Sequence, residues 1–253
     1  MPVEIVTVPC RSDNYAYLVR DEASGDVALV DAPEVAPIQA ALDDWGWTLS
    51  QIWLTHHHDD HTAGVAALRP GARVIGNTED RARLPELDKE ISEGDSFTLG
   101  QTTIGVIDVS GHTIGHIAFH LADDAAVFTA DSLMALGCGR VFEGTHEMMW
   151  ESLSKLAALP DETRVYSGHN YGRANGRFAR SVEPENKALA ERIARIEAAD
   201  AAGTPIVPST MAEEKATNPF LRATDPDLAK SLGLPNPTPL ATFTELRHRK
   251  DNF

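Results

Sequence analysis

A short cluster of histidine and aspartate residues constrains this chain more than any other feature. The stretch Thr55-His56-His57-His58-Asp59-Asp60-His61 contains the pattern H-x-H-x-D-H, which places four side chains able to bind a metal within six residues. An apolar run, 52–54, precedes the cluster, and a helix-like run, 62–68, follows it. The cluster therefore marks the point where a predicted strand gives way to a predicted helix.

The spacing within the cluster predicts two neighbouring metal half-sites. Side chains two residues apart in an extended strand point the same way, so His56 and His58 would face one site while His57 faces away. The turn into the helix would carry Asp60 and His61 to an adjacent position. Imidazole and carboxylate ligands together suit zinc, iron or manganese. The alternative is a polar loop in which an aspartate caps the helix; Asp59 fits that role, but four histidines are costly to explain as solvated surface.

The composition is that of an ordinary globular protein with an acidic balance. Of the 253 residues, 42% are hydrophobic and 24% are charged, and this length allows one large domain or a domain with a smaller one beside it. The formal net charge of −16 argues against nucleic acid or an anionic membrane as the main partner. No apolar run approaches membrane-spanning length.

The N-terminus and the cysteines indicate the compartment. Residues 1–5 show no basic region followed by an apolar one, so we predict no signal peptide and a cytoplasmic location. Cys10 and Cys138 form no C-x-x-C pair. In a chain of this size without a secretion signal, we expect both to be reduced.

The pattern of apolar residues predicts many short strands with helices between them. Strands are predicted over 3–8, 15–19, 27–30, 51–54, 73–76, 117–121, 126–129 and 164–166, a hairpin over 97–107, and helices over 37–45 and 147–159. Strands in hairpins with interspersed helices indicate an α+β fold, in which two sheets pack face to face with helices outside.

The pattern changes to helix after residue 170. Helices are predicted over 171–180, 185–202, 227–232 and 242–249, with a break at 203–208. We therefore predict two domains, a metal-binding catalytic domain over residues 1–170 and a smaller helical domain over residues 171–253.

Three further candidate ligands, His112, Asp131 and His169, each follow a predicted apolar strand. Strand ends bearing ligand-type side chains would converge on one rim. Singly, a strand-end aspartate is more often a turn former, and a histidine more often a surface or structural residue. In combination with the cluster, all three become candidate metal ligands, and Asp131 could bridge two ions.

The remaining histidines are expected to have other roles. His57 would support its loop. His116 and His120 would be packing or surface residues, with His116 close enough to orient a ligand. His146 and His248 would be exposed.

With these residues the chain resembles the metallo-β-lactamase superfamily and, within it, the glyoxalase II (hydroxyacylglutathione hydrolase) family. The cluster at 55–61 marks only the superfamily, whereas the C-terminal segments mark the narrower family. The matching segments are G-H-T at 111–113, F-T-A-D-S at 128–132, G-C-G-R at 137–140, G-H-N-Y at 168–171, V-P-S-T at 207–210, N-P-F at 218–220 and R-H-R-K-D-N-F at 247–253.

The resemblance implies an αββα metallo-β-lactamase-like sandwich, with a smaller C-terminal helical domain that binds glutathione. It also implies a site with two divalent metal ions per subunit, zinc being favoured and iron or manganese compatible. One ion would be held by His56, His58 and His112 and the other by Asp60, His61 and His169, with Asp131 as the bridge.

The resemblance further implies substrate contacts. Arg140, Tyr171, Arg247 and Lys250 match positions that hold the glutathione moiety in the family. Because arginine binds carboxylates bidentately, a local basic group explains how an acidic chain binds an anion. Phe142 departs from the family, which often has tyrosine there; a phenyl ring packs but donates no hydrogen bond, so substrate binding should be slightly weaker. The neighbouring Arg177, Arg180 and Arg249 are expected to be solvated.

The implied reaction is hydrolysis of S-D-lactoylglutathione and related 2-hydroxyacyl glutathione thioesters to glutathione and D-lactate, the second step of methylglyoxal detoxification. A metal-bridging hydroxide would attack the thioester carbonyl, with Asp60 and Asp131 as the catalytic carboxylates that hold and orient it. One ion would stabilise the oxyanion, and the glutathione thiolate would leave readily. We expect a monomer that acts on a small molecule and binds neither nucleic acid nor membrane.

Other classes remain as alternatives. A mononuclear iron glutathione persulfide dioxygenase shares the cluster, but the extended helical C-terminus argues against it. A lactonase, β-lactamase or nuclease of the superfamily fits the C-terminal segments less well, and the acidic charge disfavours a nuclease. A non-catalytic glutathione- or metal-binding protein need not keep all seven ligand positions, which are filled in this chain.

Overall fold

The computed structural model describes residues 3–234 and 237–253, and the chain divides into two compact units. The first unit comprises Met1–Asp108 and Ile114–Ala130, and the second comprises Val109–Thr113 and Asp131–Phe253. Residues 1 and 2 lie outside the described residues. They belong to the N-terminal segment in which no signal peptide is predicted, and the predicted first domain begins with them. Helices and strands are mixed, and the C-terminal region is helical, which confirms the α+β class. The boundary near residue 170 stays a prediction.

A mixed sheet forms one layer of the first unit. Its strands are β1 (Val3–Cys10), β2 (Asn14–Asp21), β3 (Val27–Val30), β4 (Leu49–Trp53), β5 (Arg73–Asn77) and β6 (Lys89–Ile91). They lie side by side in chain order, antiparallel from β1 to β3 and parallel from β3 to β6. Parallel pairing makes β3 and β4 end at the same edge, where the histidine cluster begins.

A second, antiparallel layer of the same unit contains β7 (Ser96–Leu99), β8 (Thr102–Asp108), β9 (Ile117–Leu121) and β10 (Ala126–Ala130). The predicted hairpin is confirmed as β7–β8. Aromatic side chains join the two layers: the ring of Trp53 lies 5.3 Å from that of Phe97 and 5.5 Å from that of Phe119, and Tyr17 lies 5.3 Å from Phe128. The sheets of this unit therefore pack face to face, as predicted.

Three short helices lie beside the mixed sheet. They are α1 (Val35–Trp45), α2 (Asp59–Thr62) and α3 (Val65–Leu68). Ile38 and Leu42 of α1 belong to the same buried apolar cluster as Leu29 and Ile52 of the sheet. The helix predicted after the cluster begins inside it, at Asp59, and is interrupted at Gly64. A Cβ there would lie 2.9 Å from the Ala32 carbonyl oxygen, so this close approach requires glycine.

The second unit is mainly helical. Its helices are α4 (His146–Ala157), α5 (Gly172–Val182), α6 (Lys187–Ala202), α7 (Met211–Thr217), α8 (Pro226–Ser231) and α9 (Pro239–Asp251). Two antiparallel pairs accompany them, β11 (Leu133–Met134) with β12 (Gly137–Cys138) and β13 (Arg164–Ser167) with β14 (Ser209–Thr210). Two-residue strands carry no alternation, which is why the sequence did not predict β11, β12 and β14. No helix in the described part of the chain has the length and apolar character needed to cross a membrane.

Candidate metal centre

The first-unit cluster lies where β4 gives way to α2. His56 and His61 are buried, whereas His58 and Asp60 are partly exposed. His56 Nε2 lies 3.2 Å from His58 Nδ1, and the rings of His56 and His61 are 4.2 Å apart. His61 Nε2 lies 3.7 Å from Asp60 Oδ2. Four of the predicted ligands are therefore brought together within this unit.

A buried carboxylate, Asp31, orients this cluster from the end of β3. Its Oδ2 lies 2.8 Å from His61 Nδ1 and accepts a hydrogen bond from the Thr55 hydroxyl at 2.8 Å, while Oδ1 accepts from the Thr55 backbone N–H at 2.9 Å. A proton on His61 Nδ1 directs Nε2 towards Asp60 as the metal-binding nitrogen. The sequence analysis assigned Asp31, which directly follows the predicted strand 27–30, no role in the site. The available sequence signal was that Asp31 is a carboxylate directly after an apolar strand, as Asp131 is.

The other polar neighbours of the cluster have supporting contacts. His57 Nδ1 lies 3.0 Å from Asp80 Oδ2, which agrees with the expected loop-supporting role. His116 is buried and stacks on His56 with ring centroids 4.6 Å apart. The Asn14 side-chain amide donates to Asp60 Oδ2 at 3.1 Å and to the Asp60 carbonyl at 3.0 Å. Asn14 is a second residue that the sequence did not single out.

The second unit brings together the other three predicted ligands. His112, Asp131 and His169 are all buried. Asp131 Oδ2 lies 3.4 Å from His112 Nε2 and 3.2 Å from His169 Nε2. His112 Nδ1 donates to the Arg140 carbonyl at 2.8 Å when it carries the proton, which leaves Nε2 directed at Asp131.

These separations suit a divalent metal ion. Bonds of 2.0–2.1 Å in a tetrahedral site place neighbouring ligand atoms roughly 3.3 Å apart. The pairs His56–His58, His112–Asp131 and His169–Asp131 lie 3.2, 3.4 and 3.2 Å apart. Imidazole nitrogens and carboxylate oxygens are also the donor type that such ions take. His61 and His112 are in addition oriented through their Nδ1 atoms, by Asp31 and by the Arg140 carbonyl.

The backbone of Gly139 packs directly against the second-unit ligands. A Cβ at this position would lie 2.0 Å from the Asp131 carbonyl oxygen and 3.0 Å from His112 Nδ1. No side chain fits in that gap. The G-C-G-R segment therefore contributes to the site because its backbone packs directly against Asp131 and His112.

The predicted substrate residues differ in exposure. The ring of Tyr171, which is 40% exposed, stacks on that of His169 at 4.7 Å. The ring of Phe142, which is 62% exposed, lies 5.2 Å from that of His112. Arg140 is exposed. Arg247 is only 2% exposed and contacts the Cys138 carbonyl and Asp251.

Lys250 lies among cationic side chains. Its ammonium nitrogen is 3.5 Å from the Ala174 carbonyl of α5. Burial, followed by the positive charges of Arg247, Arg177 and Arg140, lowers the pKa of Lys250. Arg177, expected to be solvated, is indeed exposed but also contributes to this positive group.

Two histidines outside the site differ in exposure. His248 is exposed, as predicted. His146 is half-buried, which makes its predicted exposure wrong: its ring packs edge-on against Phe243 and His248, at 6.1 and 5.3 Å.

Known proteins resemble this chain along its length. A family model described as Metallo-beta-lactamase superfamily matches residues 11–169, and one described as Hydroxyacylglutathione hydrolase C-terminus matches residues 170–253. The Hydroxyacylglutathione hydrolase of Ruegeria pomeroyi is 61% identical over 255 residues, covering 100% of both chains. That of Cereibacter sphaeroides is 56% identical with the same coverage.

A solved structure supports the same fold. TTHA1623, solved in a di-iron-bound form, is 26% identical with a TM-score of 0.62, covering 86% of this chain and 100% of its own. The predicted metallo-β-lactamase fold is confirmed, and the histidine and aspartate donors indicate divalent metal binding. The chain is a hydrolase that belongs to the metallo-β-lactamase superfamily and, within it, to the hydroxyacylglutathione hydrolase family.

Proposed function

We propose that this chain hydrolyses S-D-lactoylglutathione and related 2-hydroxyacyl glutathione thioesters to glutathione and D-lactate. The observation that carries the proposal is the match along the whole chain to relatives named Hydroxyacylglutathione hydrolase. This match includes residues 170–253, the part that marks the narrower family. The reaction would be the second step of methylglyoxal detoxification, performed in the cytoplasm by a monomer that needs no nucleic acid or membrane.

The same proposal gives roles to the two parts of the sequence. Residues 1–170 would form the catalytic domain, and residues 171–253 would form the glutathione-binding domain. The family-model boundary between residues 169 and 170 supports this division of roles.

Seven side chains would hold two divalent ions, with zinc as the first candidate and iron or manganese as others. His56, His58 and His112 would hold one ion and Asp60, His61 and His169 the other, with Asp131 between them. The ligand spacings within each unit support this assignment. The di-iron-bound form of TTHA1623 supports two ions in a related protein and keeps iron among the candidates.

Such ions, when bound, lower the pKa of bound water so that hydroxide is available near neutral pH, and they polarise a carbonyl group. The protein's own contribution is orientation. Asn14 holds the Asp60 carboxylate, which can then accept a hydrogen bond from the attacking water and aim it at the thioester carbonyl. Asp131, set between His112 and His169, is the second catalytic carboxylate. The glutathione thiolate is a good leaving group, so no general acid is required.

Glutathione carries carboxylates, and the group around Lys250 would bind them. Burial and the positive charges of neighbouring arginines lower the pKa of Lys250. A bound anion would relieve the repulsion among these positive charges. Arg140 and Lys250 would supply the charge, and Tyr171 and the exposed ring of Phe142 would pack against the ligand. Arg247 belongs to this set by family resemblance, although its guanidinium is buried.

The test is hydrolysis of S-D-lactoylglutathione by purified protein, followed at the thioester absorbance with and without chelator. We expect rapid turnover that chelator abolishes, and loss of both turnover and metal in His112→Ala. His248→Ala, which removes an exposed histidine, is the matched control and should retain both. Full turnover by His112→Ala would contradict the assignment. No turnover by a wild-type protein carrying one iron, together with oxygen uptake on glutathione persulfide, would indicate the dioxygenase instead.

A further inference from the structure

Buried polar side chains from the C-terminal helices hold the backbone of residues 133–137. The Asn218 side-chain amide donates to the carbonyls of Met134 and Gly137, at 3.2 and 2.9 Å. That of Asn175 donates to the Ala135 carbonyl at 3.1 Å. The Leu136 backbone N–H donates to Glu214 at 3.2 Å. This segment, which joins β11 to β12, therefore has its position set by distant side chains.

Arg247 of α9 extends this arrangement to the next two residues. Its Nη1 donates to the carbonyls of Cys138 and Gly139, at 3.0 and 3.4 Å. Its Nε and Nη2 contact Asp251 Oδ1 at 3.1 and 2.9 Å, and its guanidinium lies 5.0 Å from the ring centroid of Phe220. Each guanidinium nitrogen thus already donates within the protein, and the side chain is 2% exposed.

The third consecutive carbonyl, that of Arg140, contacts a candidate metal ligand. It lies 2.8 Å from His112 Nδ1. The intervening Gly139 leaves no space for a Cβ against His112 and Asp131. A displacement of residues 138–140 would therefore turn the His112 ring and redirect its Nε2.

We propose that Arg247 is a positioning residue for His112, acting through the carbonyls of residues 138–140. Its role is to set the direction of His112 Nε2 and hence the affinity for a divalent ion. Arginine suits this task because one planar fork reaches carbonyl oxygens on one side and a carboxylate on the other, whereas lysine offers a single nitrogen. The inference rests on the proposed assignment of His112 as a metal ligand.

A substrate contact alone predicts a different response. Replacing Arg247 with lysine keeps the positive charge, so an arginine that only binds glutathione would change KM and leave metal affinity intact. A positioning residue changes metal affinity even when no substrate is present. Binding of Zn²⁺ to apo-protein therefore separates the two roles.

The experiment measures Zn²⁺ binding to the full chain by competition with a chromophoric chelator. We expect Arg247→Lys to bind its weaker equivalent of Zn²⁺ roughly tenfold less tightly, the lower end of the range for groups that orient metal ligands. Arg249→Lys, an exposed arginine on the same helix, is the matched control and should stay within about twofold of wild type by the same principle. Folding of each variant is checked by circular dichroism and thermal unfolding.

Asp251→Asn is the second variant, because it removes the negative charge that Arg247 Nε and Nη2 contact and leaves the Arg247 side chain itself unchanged. Positioning predicts weaker Zn²⁺ binding here too. Wild-type Zn²⁺ affinity in a folded Arg247→Lys protein, or in Asp251→Asn if Arg247→Lys does not fold, would overturn the inference. The outcome is independent of the proposed reaction: a wild-type protein without thioesterase activity would refute the reaction, while the Zn²⁺ measurement would still decide the role of Arg247.

Discussion

Asp31→Asn tests whether the buried carboxylate beside His61 controls metal binding. The residue has a left-handed backbone conformation, with φ of 57°. Asparagine tolerates that conformation, so the substitution leaves the backbone unstrained and changes only the contacts. It also keeps the size of the side chain, so no cavity forms.

The magnitude follows from three contacts. The carboxylate accepts from the Thr55 backbone N–H at 2.9 Å and the Thr55 hydroxyl at 2.8 Å, and it lies 2.8 Å from His61 Nδ1. An amide has one acceptor oxygen, so its NH₂ must face an N–H of Thr55 or of His61. Losing one hydrogen bond to a charged group costs roughly 1.5–3 kcal/mol. At about 1.4 kcal/mol per factor of ten, that is on the order of 10- to 100-fold in metal affinity.

The assay is Zn²⁺ competition on apo-protein, combined with thermal unfolding of the metal-loaded and metal-free forms. Asp44→Asn removes the same charge from an exposed position in the same unit and should leave Zn²⁺ affinity unchanged. A folded Asp31→Asn protein that binds Zn²⁺ within about threefold of wild type would refute the reasoning, because the smallest expected loss is tenfold.

Four further predictions address other parts of the chain. Although burial raises it, hydrogen bonds from Thr102, Ser24 and Gln101 lower the pKa of Asp21 to about 2. The resulting stability is present above the unfolded value near 3.8 and is lost as pH falls towards 2. Asp21→Asn should therefore lower the free energy of unfolding at pH 7 by about 1–2 kcal/mol in urea titrations and remove that acid dependence. Gly139→Ala should reduce both melting temperature and metal content, since its Cβ would lie 2.0 Å from the Asp131 carbonyl; normal values would contradict that contact. Phe142→Tyr should lower KM for S-D-lactoylglutathione roughly two- to tenfold without changing kcat, because the tyrosine hydroxyl adds one hydrogen bond to the bound substrate. Because burial and then neighbouring positive charge lower the pKa of Lys250, KM should rise at a lower alkaline pH than it would with an ordinary lysine; Lys250→Met should raise KM and abolish that pH dependence.

Much of the fold was accessible from local patterns. Apolar alternation predicted β1 and the β7–β8 hairpin, because a strand covered on one face alternates between buried and exposed side chains. β10 was predicted as a short apolar strand, and it is buried at every position. Pairs such as β11 with β12 escaped detection, since two residues contain no period. The helix after the cluster was placed from 62 but begins at Asp59, because the chain must turn tightly enough to bring Gly64 against Ala32.

The sequence by itself determined which side chains could bind a metal. Strand spacing predicted that His56 and His58 face one site and that His57 faces away. In the structure His56 lies beside His58, and His57 contacts Asp80. The direction of neighbouring side chains follows from local backbone geometry, so it can be predicted from one sequence.

Only the tertiary structure decided how each ligand is oriented. His61 depends on Asp31, 30 positions away, and His112 depends on the Arg140 carbonyl, 28 positions away. Arg247 was assigned to substrate binding by family resemblance, which did not indicate that its side chain is buried within the second unit. The physical reason is that periodicity reports which face a residue occupies, whereas the partner of a buried polar group is set by the packing of segments far apart in the chain.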